Sequence, residues 1–317
     1  MKVTDHLEKS RGKPLISFEV IPPKRGGSID TLFGVLEDVI KYEPPFIDVT
    51  SRAAEVEYHE SGTGIKKKVI RKRPGTIGIS AAIKNHFNID TVPHLLCYGF
   101  TREETEDALI ELNYLGNENV LAIRGDDLGY HKPIPTHKSQ NKFAYQLVQQ
   151  IVNMNNGKYL EDELLDASPT DFCIGIAGYP EKHFEAPNLK VEIQRVKQKI
   201  DAGAHYVVTQ MFFDNKFYFD FVKKCREAGV TVPIIPGLKI LTAKSHLTSI
   251  PRNFYISIPE ELSGEVMSGK DEHVSEIGAR WAAKQAEELL NNGAPSLHFY
   301  IMQSAKPIVR MFKHLKL

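Results

Sequence analysis

The sequence has few cysteines, no metal-binding motif and no excess of charge of either sign. Its three cysteines, Cys97, Cys173 and Cys225, stand apart from one another and from histidines among 317 residues, so the spacing of a zinc site is missing. We expect them to pack in the core of a protein from a reducing compartment. Because 40 basic residues balance 40 acidic ones, the overall charge favours neither nucleic acid nor an anionic membrane as partner.

Long apolar runs are also missing. No stretch reaches the ~18 uninterrupted apolar residues of a membrane-spanning helix, and the first six residues lead into a polar segment without the apolar core of a signal peptide. A hydrophobic content of 42% suits an ordinary globular core. We therefore expect a cytoplasmic protein that recognises a small molecule.

The stretch 15–23 carries a carboxylate at the end of a predicted strand. Alternation places Phe18 with the apolar side chains of one face and Glu19 on the other, and Pro22 and Pro23 end the strand by removing two backbone donors. A helical pattern follows at 28–42, which makes this the first strand–helix unit of an α/β repeat. In a (β/α) barrel, catalytic groups lie at this end of the strands. A structural ion pair is the alternative role for Glu19.

Similar units recur along the whole chain. Because strands alternate with helices throughout, the sequence predicts an α/β protein, a (β/α)8 TIM barrel in which residues 1–317 form a single domain. The predicted strands are 15–21, 46–50, 92–97, 119–123, 172–178, 206–213, 233–238 and 297–302. The predicted helices are 28–42, 77–87, 101–115, 142–155, 189–202, 216–228, a helical pair within 242–290, and 307–315.

Two segments between these elements are predicted as loops. The segment 62–73 is rich in lysine and arginine and contains two glycines, so it is either a solvated loop or a basic lip that attracts an anionic ligand. The segment 128–140 is long and contains proline and histidine. Loops of more than ~12 residues in compact domains are often functional, and a simple insertion is the alternative.

Several stretches, each at a strand end, together resemble the methylenetetrahydrofolate reductases, a family of FAD-dependent barrel enzymes. The resemblance covers the chain from Ser17 to Met302, and the order of the matching stretches makes it specific. The matches are Phe18-Glu19 with Pro22-Pro23, Asp48-Val49-Thr50, His94-Leu95 with Cys97, Ala122-Ile123-Arg124-Gly125-Asp126, Tyr179-Pro180-Glu181 with His183, Asp201-Ala202-Gly203-Ala204, Thr209-Gln210 with Phe212-Phe213-Asp214, Ile234-Ile235-Pro236-Gly237 and His298-Phe299-Tyr300.

The resemblance implies the reduction of 5,10-methylenetetrahydrofolate to 5-methyltetrahydrofolate by NADH or NADPH, in two half-reactions that share FAD. Glu19 matches the acid that protonates folate N10, and Asp126 matches an aspartate near flavin and folate that stabilises the resulting cation. Gln210 and Tyr300 match substrate-binding positions. Relatives form homo-oligomers, whereas the oligomeric state of this chain and the choice of electron donor stay open.

The resemblance also implies a set of flavin contacts. Within it, Arg124 and Lys199 are the cations expected nearest the FAD pyrophosphate. Packing roles are the alternative for His94, Phe143 and Tyr179, which would be core residues in most proteins. The full set is Thr50, Ala53, His94, Arg124, Gly125, Asp126, Phe143, Ala144, Tyr179, His183, Ala186, Glu192 and Lys199.

The chain departs from the family pattern at four positions. Leu96, Ser51 and Gln198 differ from the residues usual at the flavin site, and Ser304 lies where relatives carry a substrate-contacting arginine. The basic segment 62–73 is one candidate for the missing positive charge. Two other functions stay open from sequence, a flavin-free methyltransferase that uses folate and a degenerate folate-binding protein. The retention of Glu19, Asp126 and Gln210 argues against the second of these.

Overall fold

The computed structural model describes residues 1–10, 13–62, 64–126, 132–161 and 163–315, which form a ring of parallel strands surrounded by helices. Neighbouring strands of the nine-stranded sheet follow the order β10-β11-β1-β2-β5-β6-β7-β8-β9. The strands are β1 Ile16–Val20, β2 Phe46–Val49, β3 Glu55–Ser61, β4 Gly64–Ile70, β5 Asp90–Leu96, β6 Asn119–Ile123, β7 Cys173–Gly178, β8 Tyr206–Thr209, β9 Ile234–Ile235, β10 Gly237–Leu238 and β11 Leu297–Met302.

The ring closes through a strand that is broken by a proline. Pro236 separates β9 from β10, because a proline nitrogen cannot donate to a strand ladder. β9 pairs with β8, and β10 pairs with β11. The two short strands share one position, so the nine strands of the sheet fill eight positions. This confirms the predicted (β/α)8 barrel.

Helices follow most of the strands, close to the predicted bounds. The predicted helical pair within 242–290 is instead three α-helices, α8 to α10, with a 3₁₀ turn at Asp271–His273. The helices are α1 Val3–Lys9, α2 Asp30–Ile40, α3 Thr76–Phe87, α4 Arg102–Tyr114, α5 Ala144–Asn155, α6 Leu189–Asp201, α7 Asn215–Glu227, α8 His246–Phe254, α9 Glu260–Ser268, α10 Val274–Asn291 and α11 Lys306–Met311. No helix within the described ranges is long and apolar enough to cross a bilayer.

Local sequence signals account for the ends of α4. The Thr101 hydroxyl accepts a hydrogen bond from the Glu104 backbone N–H at 3.2 Å, and the Glu104 carboxylate accepts one from the Thr101 N–H at 2.8 Å. This reciprocal arrangement satisfies two backbone donors at the start of the helix. At the other end, Gly116 adopts φ +68°, a left-handed conformation that favours glycine. The predicted capping residues are therefore confirmed.

The prediction of a loop at 62–73 is wrong, since β3 and β4 form an antiparallel hairpin. One acidic side chain of β3, Glu57, lies opposite Lys68 of β4, whereas Lys66 and Lys67 face His59 and Tyr58. Lys72 adds ion pairs of 2.9 Å to both Glu55 and Glu57. Opposite charges across an antiparallel pair favour strand pairing, and a search for apolar alternation misses such a pair.

Three further differences concern element boundaries. β8 ends at Thr209 rather than at residue 213, because the chain leaves the sheet and Met211 and Phe213 pack against residues of α8, α9 and α10. Helix α1 was not predicted. Of the predicted loop 128–140, residues 128–131 lie outside the described ranges, and 132–140 contain neither helix nor strand.

The barrel interior is apolar at the amino-terminal ends of the strands. A buried cluster there combines Phe46, Val92 and Leu121 with Val3 of α1. The Val3 backbone N–H also donates to the Asn119 side chain at 2.8 Å. Helix α1 therefore closes this end of the barrel. The three cysteines are free and buried, which confirms their predicted packing role.

Candidate active site

Five buried polar side chains form an interior polar cluster toward the carboxyl ends of β1, β2, β5 and β11. They are Ser17, Glu19, Asp48, His94 and His298, each no more than 8% exposed. The Glu19 carboxylate lies 3.7 Å from His94 Nε2 and 3.8 Å from His298 Nε2. Asp48 lies 3.2 Å from His94 Nε2, and Ser17 Oγ lies 2.8 Å from His298 Nδ1. A carboxyl group thus stands between two imidazoles.

Strand register brings these side chains together. In the parallel ladders Glu19 is the partner of Asp48, and Ser17 is the partner of His298. Because successive side chains alternate between faces, Ser17 and Glu19 share the inner face of β1. Phe18 between them packs in the apolar layer under the surrounding helices, with Leu36 of α2. The predicted alternation of β1 is therefore confirmed.

The cluster concentrates negative charge around His94. Burial opposes protonation of its imidazole, but the hydrogen bond to Asp48 and the charges of Glu19 and Asp48 outweigh burial and raise the pKa of His94. Asp48 Oδ1 and His298 Nε2 are buried without a hydrogen-bond partner among the described residues. A buried polar atom without a hydrogen bond destabilises the folded protein unless water or a ligand supplies the missing hydrogen bond.

Of the two predicted substrate contacts, Tyr300 lies beside this cluster, with its ring 5.2 Å from that of His298, and Gln210 lies on a different element. The Tyr300 hydroxyl donates to the Thr209 carbonyl at 2.6 Å, and burial, followed by the charge of Glu19, raises its pKa. Gln210 follows β8, is half-buried, and accepts a hydrogen bond from the Met211 N–H through its side-chain oxygen at 2.9 Å. Its amide nitrogen therefore stays available for a ligand.

A second group of predicted residues gathers after β6 and β7. Arg124 pairs with Glu185 at 2.7 Å and lies over the ring of Tyr98, 5.5 Å from its centre. The rings of Tyr179 and His183 meet edge to face at 4.8 Å. Burial raises the pKa of Tyr179, which keeps its phenol protonated. The structure thus brings Arg124, Tyr179 and His183 into one neighbourhood.

Lys199 and Glu192 lie deeper in the same neighbourhood. The Lys199 ammonium donates to the Ala177 carbonyl at 2.5 Å, and the His183 N–H donates to the Glu192 carboxylate at 3.3 Å. Burial lowers the pKa of Lys199 and raises that of Glu192, while each charge opposes the shift of the other. Hydrogen bonds within the protein therefore fix the positions of both side chains.

The remaining predicted contacts line the rim of the barrel. Thr50 Oγ1 is buried and has no partner among the described residues. Phe143, at the start of α5, exposes 50% of its surface, whereas Ala186 is buried. Asp126 is exposed and is one of the charges that raise the pKa of Tyr179. Ala144 begins α5 beside Phe143.

Glycines allow close approach at this rim. Gly125 has φ +84°, and a Cβ built there would lie 3.3 Å from Leu96 Cδ2. Gly99 has φ +83°, and its Cβ would lie 3.2 Å from that of Ala53. Nearby, Arg71 and Lys132 line a cavity of about 240 Å³ that also touches Gly99. Both glycines are thus in close contact with other side chains of the protein, and two cations lie near Gly99.

The sequence-based analysis missed the chemical importance of Asp48 and His298. Both are polar residues within apolar strands, which is a detectable signal. Asp48 and His298 were recognised only as parts of matching stretches. Their contacts with Glu19 and His94 depend on register between strands that are distant in sequence.

Comparisons of the sequence with known proteins all point to one family. A family model for methylenetetrahydrofolate reductase matches residues 2–316. The chain is 29% identical to methylenetetrahydrofolate reductase 2 of Saccharomyces cerevisiae, across 100% of this chain and 50% of that protein. It is 27% identical to 5,10-methylenetetrahydrofolate reductase of Salmonella typhimurium, across 95% of this chain and 90% of that protein. The chain therefore spans about half the length of the yeast relative.

A solved structure supports the fold. An uncharacterised protein from Clostridium thermocellum, which binds two copies of 5-methyl-5,6,7,8-tetrahydrofolic acid, superposes with a TM-score of 0.58. The match covers 98% of this chain and 96% of that one, at 15% identity. At this identity the likeness bears on the barrel and its strand order alone.

Proposed function

Since the chain belongs to the methylenetetrahydrofolate reductase family, we propose that it reduces 5,10-methylenetetrahydrofolate to 5-methyltetrahydrofolate, with NADH or NADPH as donor and FAD as bound carrier. The observation that carries the proposal is the position of Glu19. It is a buried carboxyl group at the carboxyl end of a barrel strand, with imidazoles 3.7 and 3.8 Å from one oxygen. General acid catalysis needs a proton donor held in this way.

Glu19 acts on the folate. It donates a proton to N10, the bond between N10 and the bridging carbon breaks, and the electron pair of N5 forms an iminium cation with that carbon. A hydride added to the iminium carbon completes the methyl group. The proton lost from Glu19 is replaced from solvent, and His94 and His298 hold the carboxylate in position meanwhile. Negative charge at Asp126 favours the cation.

The residues at the rim fit a flavin nucleotide. Thr50 offers a buried hydroxyl without a partner among the described residues, and Phe143 exposes an aromatic ring. Arg124 and Lys199 would supply positive charge toward the pyrophosphate. The chemistry that bound FAD supplies is hydride transfer between nicotinamide and folate.

Spectroscopy and product analysis test the proposal together. We expect the purified protein, or the protein after incubation with FAD, to show flavin absorbance that bleaches anaerobically with NADH or NADPH. Addition of methylenetetrahydrofolate should restore the colour and yield 5-methyltetrahydrofolate. A protein that takes up no flavin would contradict the reductase assignment. Folate binding without flavin would then favour a methyltransferase or a binding protein.

A further inference from the structure

A cavity of about 220 Å³ lies at the carboxyl ends of β10 and β11, next to the interior polar cluster. Apolar side chains such as Ile240 and Ile308 form part of its wall. Its polar lining consists of Lys239, Thr242, His246, Gln303 and Ser304, together with Tyr300. None of the lining residues is an aspartate or a glutamate. The cavity therefore offers positive charge and hydrogen-bond donors without a carboxylate to neutralise them.

Lys239 is the charged group of this cavity. Its ammonium donates one hydrogen bond, to the Tyr300 carbonyl at 2.7 Å, and forms no ion pair with any described residue. An ammonium has three N–H donors, so two are left for a ligand. Burial lowers the pKa of Lys239 to about 8, although the charge of Glu19 opposes this shift. Lys239 is half-buried, and a partly desolvated cation without an ion pair among the described residues is costly, a cost that an anionic ligand would remove.

His246 adds a directed donor. Its Nδ1 accepts a hydrogen bond from the Thr242 N–H at 3.3 Å. Burial, followed by the charge of Lys239, lowers the pKa of His246, so its ring is neutral near pH 7. A neutral imidazole that accepts at Nδ1 carries its proton at Nε2. The cavity thus combines an ammonium with the N–H of a neutral histidine.

We propose that this cavity binds a carboxylate of the substrate, with Lys239 as its cation. The assignment rests on the proposed function, in which the carboxylates belong to the glutamate tail of the folate. The cavity touches Tyr300, whose backbone partner in β1 is Glu19, so a tail bound here leaves the pterin end of the substrate near the acid. Ser304 lines the same cavity, and Lys239 thus supplies the positive charge that Ser304 lacks.

Two ligands that differ only in the glutamate isolate the contribution of the carboxylates to binding. Binding of 5-methyltetrahydrofolate and of 5-methyltetrahydropteroate, which lacks the glutamate, is measured by calorimetry for the wild-type protein and for Lys239→Met. We expect the variant to bind the folate about 10- to 100-fold more weakly, because a charge-assisted hydrogen bond is lost. Binding of the pteroate should change less than about 2-fold.

Two further variants serve as controls. Lys239→Arg keeps the positive charge and should retain most of the preference for the folate. Lys223→Met removes an exposed lysine of α7 and should change neither affinity. Thermal unfolding of each variant checks that the barrel is intact. An equal loss for both ligands in Lys239→Met, or no loss for either, would overturn the carboxylate assignment.

Failure of the proposed function gives a different result. Wild-type protein that binds neither pterin would contradict the folate assignment. The cavity itself is then tested with glutarate, a dicarboxylate that resembles the tail. Glutarate binding that disappears in Lys239→Met would support an anion site at this position, whereas wild-type protein that does not bind glutarate would overturn it.

Discussion

The two ends of the barrel interior use the same strands for opposite purposes. At the amino-terminal end, Phe46, Val92 and Leu121 pack into an apolar cluster that Val3 of α1 closes. Since buried apolar area contributes roughly 25 cal/mol per Å², such a closed cluster stabilises the fold.

The carboxyl end carries charge instead. Two strand positions further along, Phe46 of β2 is followed by the buried Asp48, which contacts His94. Tyr206 marks the boundary, because its ring lies with the apolar cluster while its hydroxyl is buried without a partner in the described part of the chain. The residues that stabilise the fold and the residues that carry the chemistry therefore lie at opposite ends of the same strands. Substitutions at one end should affect stability, and substitutions at the other should affect activity.

The largest expected effect is on stability. Phe46→Ala removes a ring that is 0% exposed in the apolar cluster. We expect it to lower the free energy of unfolding by about 3–5 kcal/mol, because a cavity replaces the lost contacts. Urea denaturation followed by circular dichroism measures the change. The turnover rate per folded molecule should stay close to that of the wild type.

Tyr58→Ala is the matched control for Phe46→Ala. Tyr58 lies in the hairpin with 69% of its surface exposed, so its loss should change stability by no more than about 0.5 kcal/mol. If Phe46→Ala slowed turnover of the folded protein as strongly as a change at Glu19, the two ends would not be separable.

The second effect is on chemistry. Glu19→Gln keeps the size of the side chain but cannot donate an acidic proton to folate N10. We expect reduction of the flavin by nicotinamide to proceed at close to the wild-type rate, since that step needs no proton at N10. Transfer to methylenetetrahydrofolate should slow at least ~100-fold, within the range of a positioned general acid. Stopped-flow absorbance measures each half-reaction.

Equal losses in both half-reactions of Glu19→Gln would show that Glu19 holds the site together rather than donating a proton. Glu111→Gln, on the exposed face of α4, is the control and should leave both rates unchanged. Unfolding of Glu19→Gln in urea should differ little from that of the wild type, in contrast to Phe46→Ala.

The third prediction concerns pH. The pKa of His94 is raised, so its contribution to stability is fully present below about pH 6.5, the ordinary value for histidine, and is lost as pH rises through the raised pKa. Asp48→Asn removes the main cause of this shift. We expect the difference in unfolding free energy between pH 6 and pH 9 to be smaller in the variant than in the wild type.

Urea denaturation across this pH range measures the His94 contribution. His137→Gln, at an exposed position, is the control and should keep the pH dependence of the wild type. An identical pH dependence in Asp48→Asn would show that the charge of Asp48 does not hold a proton on His94.

The sequence predicted the ring of strands because each strand is an apolar run with a polar end, and that signal is local. It did not predict α1, a seven-residue helix that depends on partners far along the chain. The Val3 N–H donates to Asn119, and His6 lies 2.9 Å from Asp90. Such contacts leave no periodic pattern in the helix itself.

The candidate site was predictable in part for the same reason. Glu19 was identified from a strand end and His94 from the family resemblance, and the structure brings them together. The cavity around Lys239 and Ser304 was not predictable, because α8, α9 and α10 separate these residues in sequence and they meet only through the pairing of β10 with β11. From the sequence alone, the basic segment 62–73 was therefore the candidate for the positive charge that relatives carry at the position of Ser304.

The smallest expected effect tests that hypothesis against Lys239. Lys66, Lys67 and Lys68 are exposed on β4, and none of them lines the cavity around Lys239. Charges on an exposed hairpin act through solvent and are largely screened beyond ~10 Å at 0.1 M salt. We expect their joint replacement by glutamine to raise the KM for polyglutamylated folate no more than about 3-fold at low salt. Nicotinamide kinetics should not change.

The dependence of KM on salt concentration distinguishes the lysines of the hairpin from Lys239 as the source of positive charge. The effect of the hairpin variant should vanish near 1 M salt, where screening acts within ~3 Å. That of Lys239→Met should persist, because Lys239 is half-buried and would contact the carboxylate directly. Steady-state kinetics at several salt concentrations make the comparison. An unchanged KM at low salt would exclude a role for the hairpin, and a rise in KM that survives high salt would show that the hairpin contacts the substrate directly.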